Sequence, residues 1–312
     1  MNGGAPPPAQ ECDIWLGGSV FGWLISRSES WAILDRFFEV GGRCIDTSDG
    51  YSSSKRGDRL DSESIIGDWV RMAGTADHMR ICTKVGLCPE LKGLRPTSVK
   101  EAVNRSLERL AVPQLEAVLA HADDPELGPQ EIAEALSATT HRKETCRIGI
   151  SGFEHQRARA VAEAAQEEFQ TPVELLQEEF SLMRQGFIRS QLDEVASEFG
   201  LQLMATGALA QGFLSGKFSG AAGRVGHRQQ YATERYSDAM SIMTLERVHE
   251  IAAQREVQMA AVALAWVASH ERVMPVASVT TPAQLEAFRE ASQLELEKSE
   301  LALLSDPPKK MP

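Results

Sequence analysis

Four ionisable side chains stand where strand interiors should be apolar. Asp46 lies in the run CIDTS, Lys84 in RICTKV and His121 in EAVLAHA, and Tyr51 follows five residues after Asp46. Taken singly, a strand-end Asp is an ordinary turn or cap former and a His after an apolar run is an ordinary rim residue. Their recurrence on consecutive runs argues for function. A carboxylate, a phenol, an ammonium and an imidazole together suit proton transfer to a carbonyl oxygen. A phenol of pKa about 10 is a poor acid or base near neutrality, and a neighbouring ammonium is expected to lower that value. In this scheme Asp46 holds Lys84 charged and oriented, and His121 hydrogen-bonds the carbonyl oxygen. Tyr51 supplies the proton, and a bound cofactor supplies hydride.

Such a cluster needs elements that bring the runs to one place. Eight short aliphatic or β-branched runs read as strands: 13–18, 44–48, 80–85, 116–122, 147–152, 173–179, 201–207 and 273–279. Helix-period segments separate them, at 29–42, 62–74, 96–112, 129–141, 154–169, 191–200 and 260–270, and a further one at 282–292 follows the last strand. Gly41 is the expected stop of the first, and Pro96, Pro129 and Pro282 sit at first-turn positions. Strict alternation implies a parallel sheet. Eight units predict closure into a (β/α)8 TIM barrel, with an open doubly wound sheet as the alternative. The opening run DIWLGGSVFG carries no GxGxxG fingerprint, which argues against a Rossmann fold. In the barrel Asp46, Tyr51, Lys84 and His121 converge at the C-terminal mouth, where barrel enzymes build their sites. Two long loops leave the same face, 49–61 and 217–238.

The 312 residues are 43% hydrophobic, enough for one large core, and the net charge of −12 disfavours nucleic acid and anionic membrane as partners. Cys12, Cys44, Cys82, Cys88 and Cys146 form no CxxC pair. Cys44, Cys82 and Cys146 lie in or beside strand runs, so buried free thiols in a reducing compartment are expected. The Gly/Pro-rich residues 1–11 read as a disordered lead-in to a single domain at 12–312. They lack the features of a signal peptide, and no apolar run reaches the roughly 18 residues of a membrane helix. A cytoplasmic protein is expected. HADDP reads as a turn rather than a ligand set, so no metal is expected.

The runs IDTSDGYS, ESIIGDWV, CTKVG, HADDP, LAQGFLSGK and VALAWV, in this order over about residues 14–305, resemble the aldo-keto reductases, in particular the bacterial and potassium-channel-β-subunit-like branch. The resemblance implies a barrel that reduces aldehydes or ketones, or runs the reverse oxidation, with NADPH lying extended across its mouth. It places the family's catalytic tetrad on Asp46, Tyr51, Lys84 and His121. It implies cofactor contacts from Gly18 and Ser19 after the first strand, from Ser151 and Gln177 to the nicotinamide carboxamide, and from Leu209, Gln211 and Gly212 beside the pyrophosphate. Thr281-Pro282 matches the turn that opens the adenine-side helix.

Departures from the family pattern accompany these matches. Ser151-Gly152 replaces the usual Ser-Asn, Thr206 stands where an aromatic ring usually stacks on nicotinamide, and Ala208 replaces a proline before Leu209. The positions that usually grip the 2′-phosphate hold Ser278, Thr280 and Gln284, none of them charged, and Ala287-Phe288 replaces the family's Glu-Asn. The family's hairpin plug at the barrel bottom has no evident counterpart before residue 12. Losing a cationic clamp weakens the case for NADPH against NADH, although Arg224 and Arg228 in the seventh loop are candidates to replace it. The first expectation is an NAD(P)H-dependent carbonyl reductase, its sugar-like or secondary-metabolite substrate suggested only by the polar loop DGYSSSKRGDR. The alternatives are a lyase, dehydratase or epimerase using the same four residues without nicotinamide, and a regulatory binding subunit. Oligomeric state is left open.

Overall fold

The computed structural model describes residues 12–51, 61–216 and 234–306. The expected runs form eight strands: β1 Trp15–Gly17, β2 Cys44–Asp46, β3 Arg80–Val85, β4 Leu115–Ala120, β5 Thr145–Ser151, β6 Val173–Glu179, β7 Gln202–Thr206 and β8 Val273–Ala277. Every neighbouring pair is parallel. Pairing of Trp15 with Val276 and of Leu16 with Ala277 joins β1 to β8, so the sheet closes as a barrel and the open alternative is set aside. Side chains alternate across a strand, so each strand feeds two cores. Trp15, Cys44, Cys82, Ala117, Leu119, Leu175, Met204 and Val276 form a buried cluster of their own inside the ring. Residues such as Leu16, Ile45, Ile81, Val118 and Leu176 join the larger cluster under the helices. Gly149 is required here: a Cβ on it would stand 2.7 Å from the Leu175 Cβ and 2.8 Å from the Leu119 Cγ.

Ten helices surround the ring among the described residues: α1 Arg27–Glu39, α2 Ser62–Ala73, α3 Pro96–Leu110, α4 Pro129–His141, α5 His155–Glu167, α6 Gln191–Phe199, α7 Ala239–Arg255, α8 Met259–Ala268, α9 Glu286–Ala291 and α10 Lys298–Ser305. Their ends follow local chemistry. Ser26 caps α1 through a reciprocal box with Glu29, an arrangement worth about 1 kcal/mol. The helix stops before Gly41, which takes φ 91°. Asp61 caps α2 by accepting from the Ser64 N–H at 2.7 Å. Pro96, Pro129 and Pro282 occupy first-turn positions as expected, Pro282 in a 3-10 turn at Pro282–Leu285 that leads into α9. α7 and α10 were not expected. The buried face of α7 includes Ser241 and Thr244 beside Val248 and Ile251, which blurs its apolar period. α10 has only eight residues.

Cys12, Cys44 and Cys82 are buried free thiols, but Cys146 is exposed, contrary to expectation. It is the second residue of β5, where Thr145 before it is buried, Arg147 after it is half-buried, and continuous burial starts at Ile148. The lead-in at 1–11, the question of a bottom plug, and Arg224 and Arg228 fall outside the described residues, as do 52–60 and 217–233 of the two long loops. No helix among the described residues is long and apolar enough to cross a membrane.

Candidate active site

β2 ends at Asp46, and the chain then leaves the ladder through Thr47, Ser48 and Asp49, all buried. Backbone bonds pin this turn to β3: the Thr47 N–H donates to the Cys82 carbonyl at 2.9 Å and the Asp49 N–H to that of Lys84 at 3.0 Å. In register Asp46 faces Cys82, so Lys84 stands two residues further up β3. Its side chain is wholly buried, and its Nζ donates to Asp46 Oδ1 at 2.6 Å and to the Thr47 carbonyl at 2.7 Å. Burial is the largest single effect and opposes the ammonium, but the facing Asp46 carboxylate, Tyr51 and Cys82 together hold the Lys84 pKa above the ordinary lysine range. This ion pair is expensive to desolvate and depends on both partners being present.

The same ammonium lies 5.0 Å from the centroid of the Tyr51 ring. The Tyr51 N–H donates to the Ser48 carbonyl at 3.2 Å, which ties the phenol to the turn after β2. The expected lowering of its pKa does not occur. Burial of the phenol is the larger effect and raises it, although Lys84 pulls the other way. Tyr51 is therefore held as a neutral phenol. His121 follows β4 directly, its N–H donating to the Val85 carbonyl at 2.9 Å. Its ring meets Tyr51 edge-on, with centroids 5.6 Å apart, and its Nδ1 lies 2.9 Å from Ser48 Oγ. Burial, with help from the Lys84 charge, pushes the His121 pKa down to about 3, so the imidazole is neutral at physiological pH. All four expected residues thus come together, as a neutral phenol and a neutral imidazole backed by a buried ion pair.

A cavity of about 680 Å³ reaches this cluster. Of the four residues Asp46 and Tyr51 line it, Lys84 and His121 do not, and it runs to Gln284 and to Ala287 in α9. Of the residues expected to hold a cofactor, Ser19, Thr206, Leu209, Gln211, Gly212, Ser278, Thr280 and Gln284 line it. Three do not. Gly18 packs so closely that a Cβ on it would stand 2.7 Å from Ser62 Oγ, and Gly17 lines the cavity instead. Gln177 is nearly buried, and its amide donates to Asp46 Oδ1 at 3.0 Å, which turns it toward the carboxylate. Ser151 closes β5 away from the lining.

The wall after β7 is unusual. Ala210, Gln211 and Gly212 take φ of 49°, 59° and 94° in succession, and a non-glycine residue in that region costs about 1–2 kcal/mol. Such strain concentrates where a ligand must meet the backbone. Further hydroxyls and amides converge on the space. Ser19 and Ser278 exchange a hydrogen bond at 3.2 Å, and Gln284 Oε1 accepts from the Thr280 N–H at 2.7 Å and the Thr281 N–H at 3.3 Å. A Cβ on Gly17 would stand 2.6 Å from Ser278 Oγ, so any side chain there would turn the Ser278 hydroxyl out of its place. A cavity whose lining includes hydroxyls, amides and strained backbone and reaches from Tyr51 to Ala287 could hold a dinucleotide. The sequence reading missed Glu179 and Arg235, which also line the cavity. Glu179 Oε2 accepts from Arg184 Nε at 3.1 Å and Arg235 Nη2 at 3.2 Å. The second carboxylate of QEE at the end of β6 was the available signal.

Comparison with known proteins agrees with this geometry. The model of the aldo/keto reductase family matches residues 13–306. The chain is 25% identical over 281 residues to the L-glyceraldehyde 3-phosphate reductase of Escherichia coli, covering 86% of this chain and 79% of that one. It is 26% identical over 293 residues to the norsolorinic acid reductase of Emericella nidulans, covering 90% and 72%. A probable voltage-gated potassium channel subunit beta of Oryza sativa is 26% identical over 273 residues, covering 84% and 80%. With the match spanning nearly every described element of the barrel, this chain belongs to the aldo/keto reductase family.

Proposed function

We propose that the protein reduces an aldehyde or ketone with a nicotinamide dinucleotide, and that Tyr51 is the proton donor. The observation that carries this reading is the buried Lys84–Asp46 pair with its ammonium 5.0 Å from the Tyr51 ring. When bound, the nicotinamide supplies hydride to the carbonyl carbon. The protein's own part lies at the oxygen. As hydride adds, that oxygen becomes an alkoxide, a far stronger base than a phenolate, so a neutral phenol is a competent donor even with its pKa raised. Lys84 stabilises the phenolate left behind, and Asp46 and the Thr47 carbonyl hold Lys84 in place. A neutral His121 can donate one hydrogen bond to the carbonyl oxygen and orient it without bringing a second positive charge beside Lys84.

Ser19, Thr206, Leu209, Gln211, Gly212, Ser278, Thr280 and Gln284 would hold the dinucleotide. Among the described lining residues the only cation is Arg235, and it is paired with Glu179. Ser278, Thr280 and Gln284 offer a 2′-phosphate no charge, so NADH should serve at least as well as NADPH. A small carbonyl compound is the proposed partner. A sugar-like substrate rests on loop residues that lie largely outside the described ones. A cytoplasmic setting suits the free thiols.

The test is steady-state oxidation of NADH and NADPH against a panel of aldehydes and ketones. The native protein should turn over at least one of them. Tyr51→Phe should lose about a thousandfold in kcat with little change in KM for the dinucleotide, since general-acid catalysis contributes roughly 10²–10⁴-fold. A Tyr51→Phe variant at native rate would refute the assignment. Turnover of a substrate with no dinucleotide present would favour a lyase or isomerase instead.

A further inference from the structure

Ser48 has no part in the scheme so far, yet it is fully buried between the catalytic residues and touches the one whose protonation pattern is not fixed by charge. A neutral imidazole carries its single proton on Nδ1 or on Nε2, and the nitrogen without it accepts. Ser48 Oγ lies 2.9 Å from His121 Nδ1. The Gly50 N–H donates to the same oxygen at 3.1 Å, which leaves the hydroxyl proton to find an acceptor. Three are in reach: His121 Nδ1 at 2.9 Å, the Lys84 carbonyl at 3.2 Å and Asp49 Oδ1 at 3.5 Å. The Lys84 carbonyl already accepts from the Asp49 N–H at 3.0 Å, and the contact to Asp49 is at the limit of a hydrogen bond. Nδ1 is the nearest acceptor and, once bare, has the greatest need of a donor.

We propose that Ser48 is a positioning residue whose hydroxyl donates to His121 Nδ1 and so keeps the imidazole proton on Nε2, facing the reacting carbonyl. Its consequence for turnover rests on the reductase reading above; the tautomer itself does not. Without Ser48, Nδ1 loses its donor and the proton is free to move there. Nε2 would then present a lone pair to the carbonyl oxygen, a repulsive contact in place of a hydrogen bond. The neighbourhood restrains the ring in other ways: the His121 N–H is held by Val85 and the Tyr51 ring stands edge-on to it. The substitution should therefore change proton placement more than ring position.

The experiment is long-range proton–nitrogen correlation NMR of the imidazoles in the nitrogen-15-labelled full chain, with the His121 signals identified by their loss in His121→Gln. The native protein should show His121 in the Nε2–H form from pH 8 down to about pH 5, with no sign of an imidazolium. Ser48→Ala should show an Nδ1–H population, and Ser48→Cys, which puts a larger and weaker donor in the same place, an intermediate one. If Ser48→Ala does not fold, Ser48→Cys against native makes the same comparison. An Nδ1–H form in the native protein, or an unchanged Nε2–H spectrum in both variants, would overturn the proposal. In turnover, Ser48→Ala should lose about tenfold in kcat, or about 1.4 kcal/mol, with KM for the dinucleotide unchanged. A tautomer shift without loss of kcat in an active enzyme would overturn the positioning role. A native protein with no turnover would count against the reductase reading, while the spectra would still decide the tautomer.

Discussion

The two sides of the cavity are built on different principles. On the β2–β4 side, charge is buried and held by short, redundant bonds: Asp46 accepts from both Lys84 and Gln177, and Lys84 donates to both Asp46 and Thr47. On the β7–β8 side, no such pair is buried among the described residues. Hydroxyls, amides and three consecutive left-handed residues form a wall that is strained but largely neutral. On the proposed function, the first side stabilises charge that develops during the reaction, and the second receives a ligand that brings its own charge. Substitutions on the first side should therefore move both stability and rate, and those on the second should move mainly affinity.

The largest expected effect is Lys84→Met. It leaves the Asp46 carboxylate buried without its cation, which should destabilise the fold by about 3–5 kcal/mol. The same change should lower kcat by at least about a thousandfold, because the phenolate of Tyr51 loses its counter-charge. Denaturant unfolding and steady-state kinetics on one preparation check both. A variant that loses rate at native stability would break the comparison by separating the two roles.

A smaller effect is expected at Asp49, beside the first side. Its carboxyl is raised from 3.8 to about 7, first by burial and then by the charge of buried Glu63, while Arg109 partly offsets both. Oδ2 has no hydrogen-bond partner among the described residues. The folded pKa lies above the unfolded one, so the neutral form's contribution to stability is complete below about pH 4 and is lost as pH rises through about 7. Asp49→Asn should remove that loss and stabilise the protein at pH 8 by about 1–3 kcal/mol, with little gain at pH 4. Thermal unfolding at the two pH values tests it. An equal effect at both would show that Asp49 does not titrate between them.

The smallest effect is expected on the neutral wall. In Gln211→Gly the relief of a left-handed side chain and the added freedom of the unfolded chain nearly cancel, so stability should change by less than about 1 kcal/mol. Dinucleotide affinity should fall severalfold as the wall loses its fixed shape and the Gln211 side chain. A large change in stability with unaltered affinity would mean that this strain serves folding rather than the ligand.

Much of the charged side was legible in the sequence, because an ionisable residue in an apolar strand run is conspicuous. Asp46, Lys84 and His121 stood out on that ground, and the strand order alone brought them together. The net direction of the Tyr51 pKa was not legible, since it depends on how far burial outweighs one ammonium. Nor was the role of Gln177. Its resemblance to a carboxamide-binding residue gave no sign that its amide would turn to Asp46. The neutral wall was legible only through resemblance: serines, threonines and glutamines in loops have no pattern of their own. Ser48 was hidden for the same reason, one hydroxyl among several in DTSDGYSSS. α7 escaped because Ser241 and Thr244 interrupt its apolar face.

The proposed function requires the neutral wall to hold a nicotinamide dinucleotide beside Tyr51. A fluorescence titration of the purified protein with NADH and then NADPH tests it most directly. Saturable binding of one equivalent at about micromolar concentration, with NADH at least as tight as NADPH, is the predicted result. No binding of either up to millimolar concentration would contradict the claim and leave the buried charged cluster as machinery for proton transfer alone.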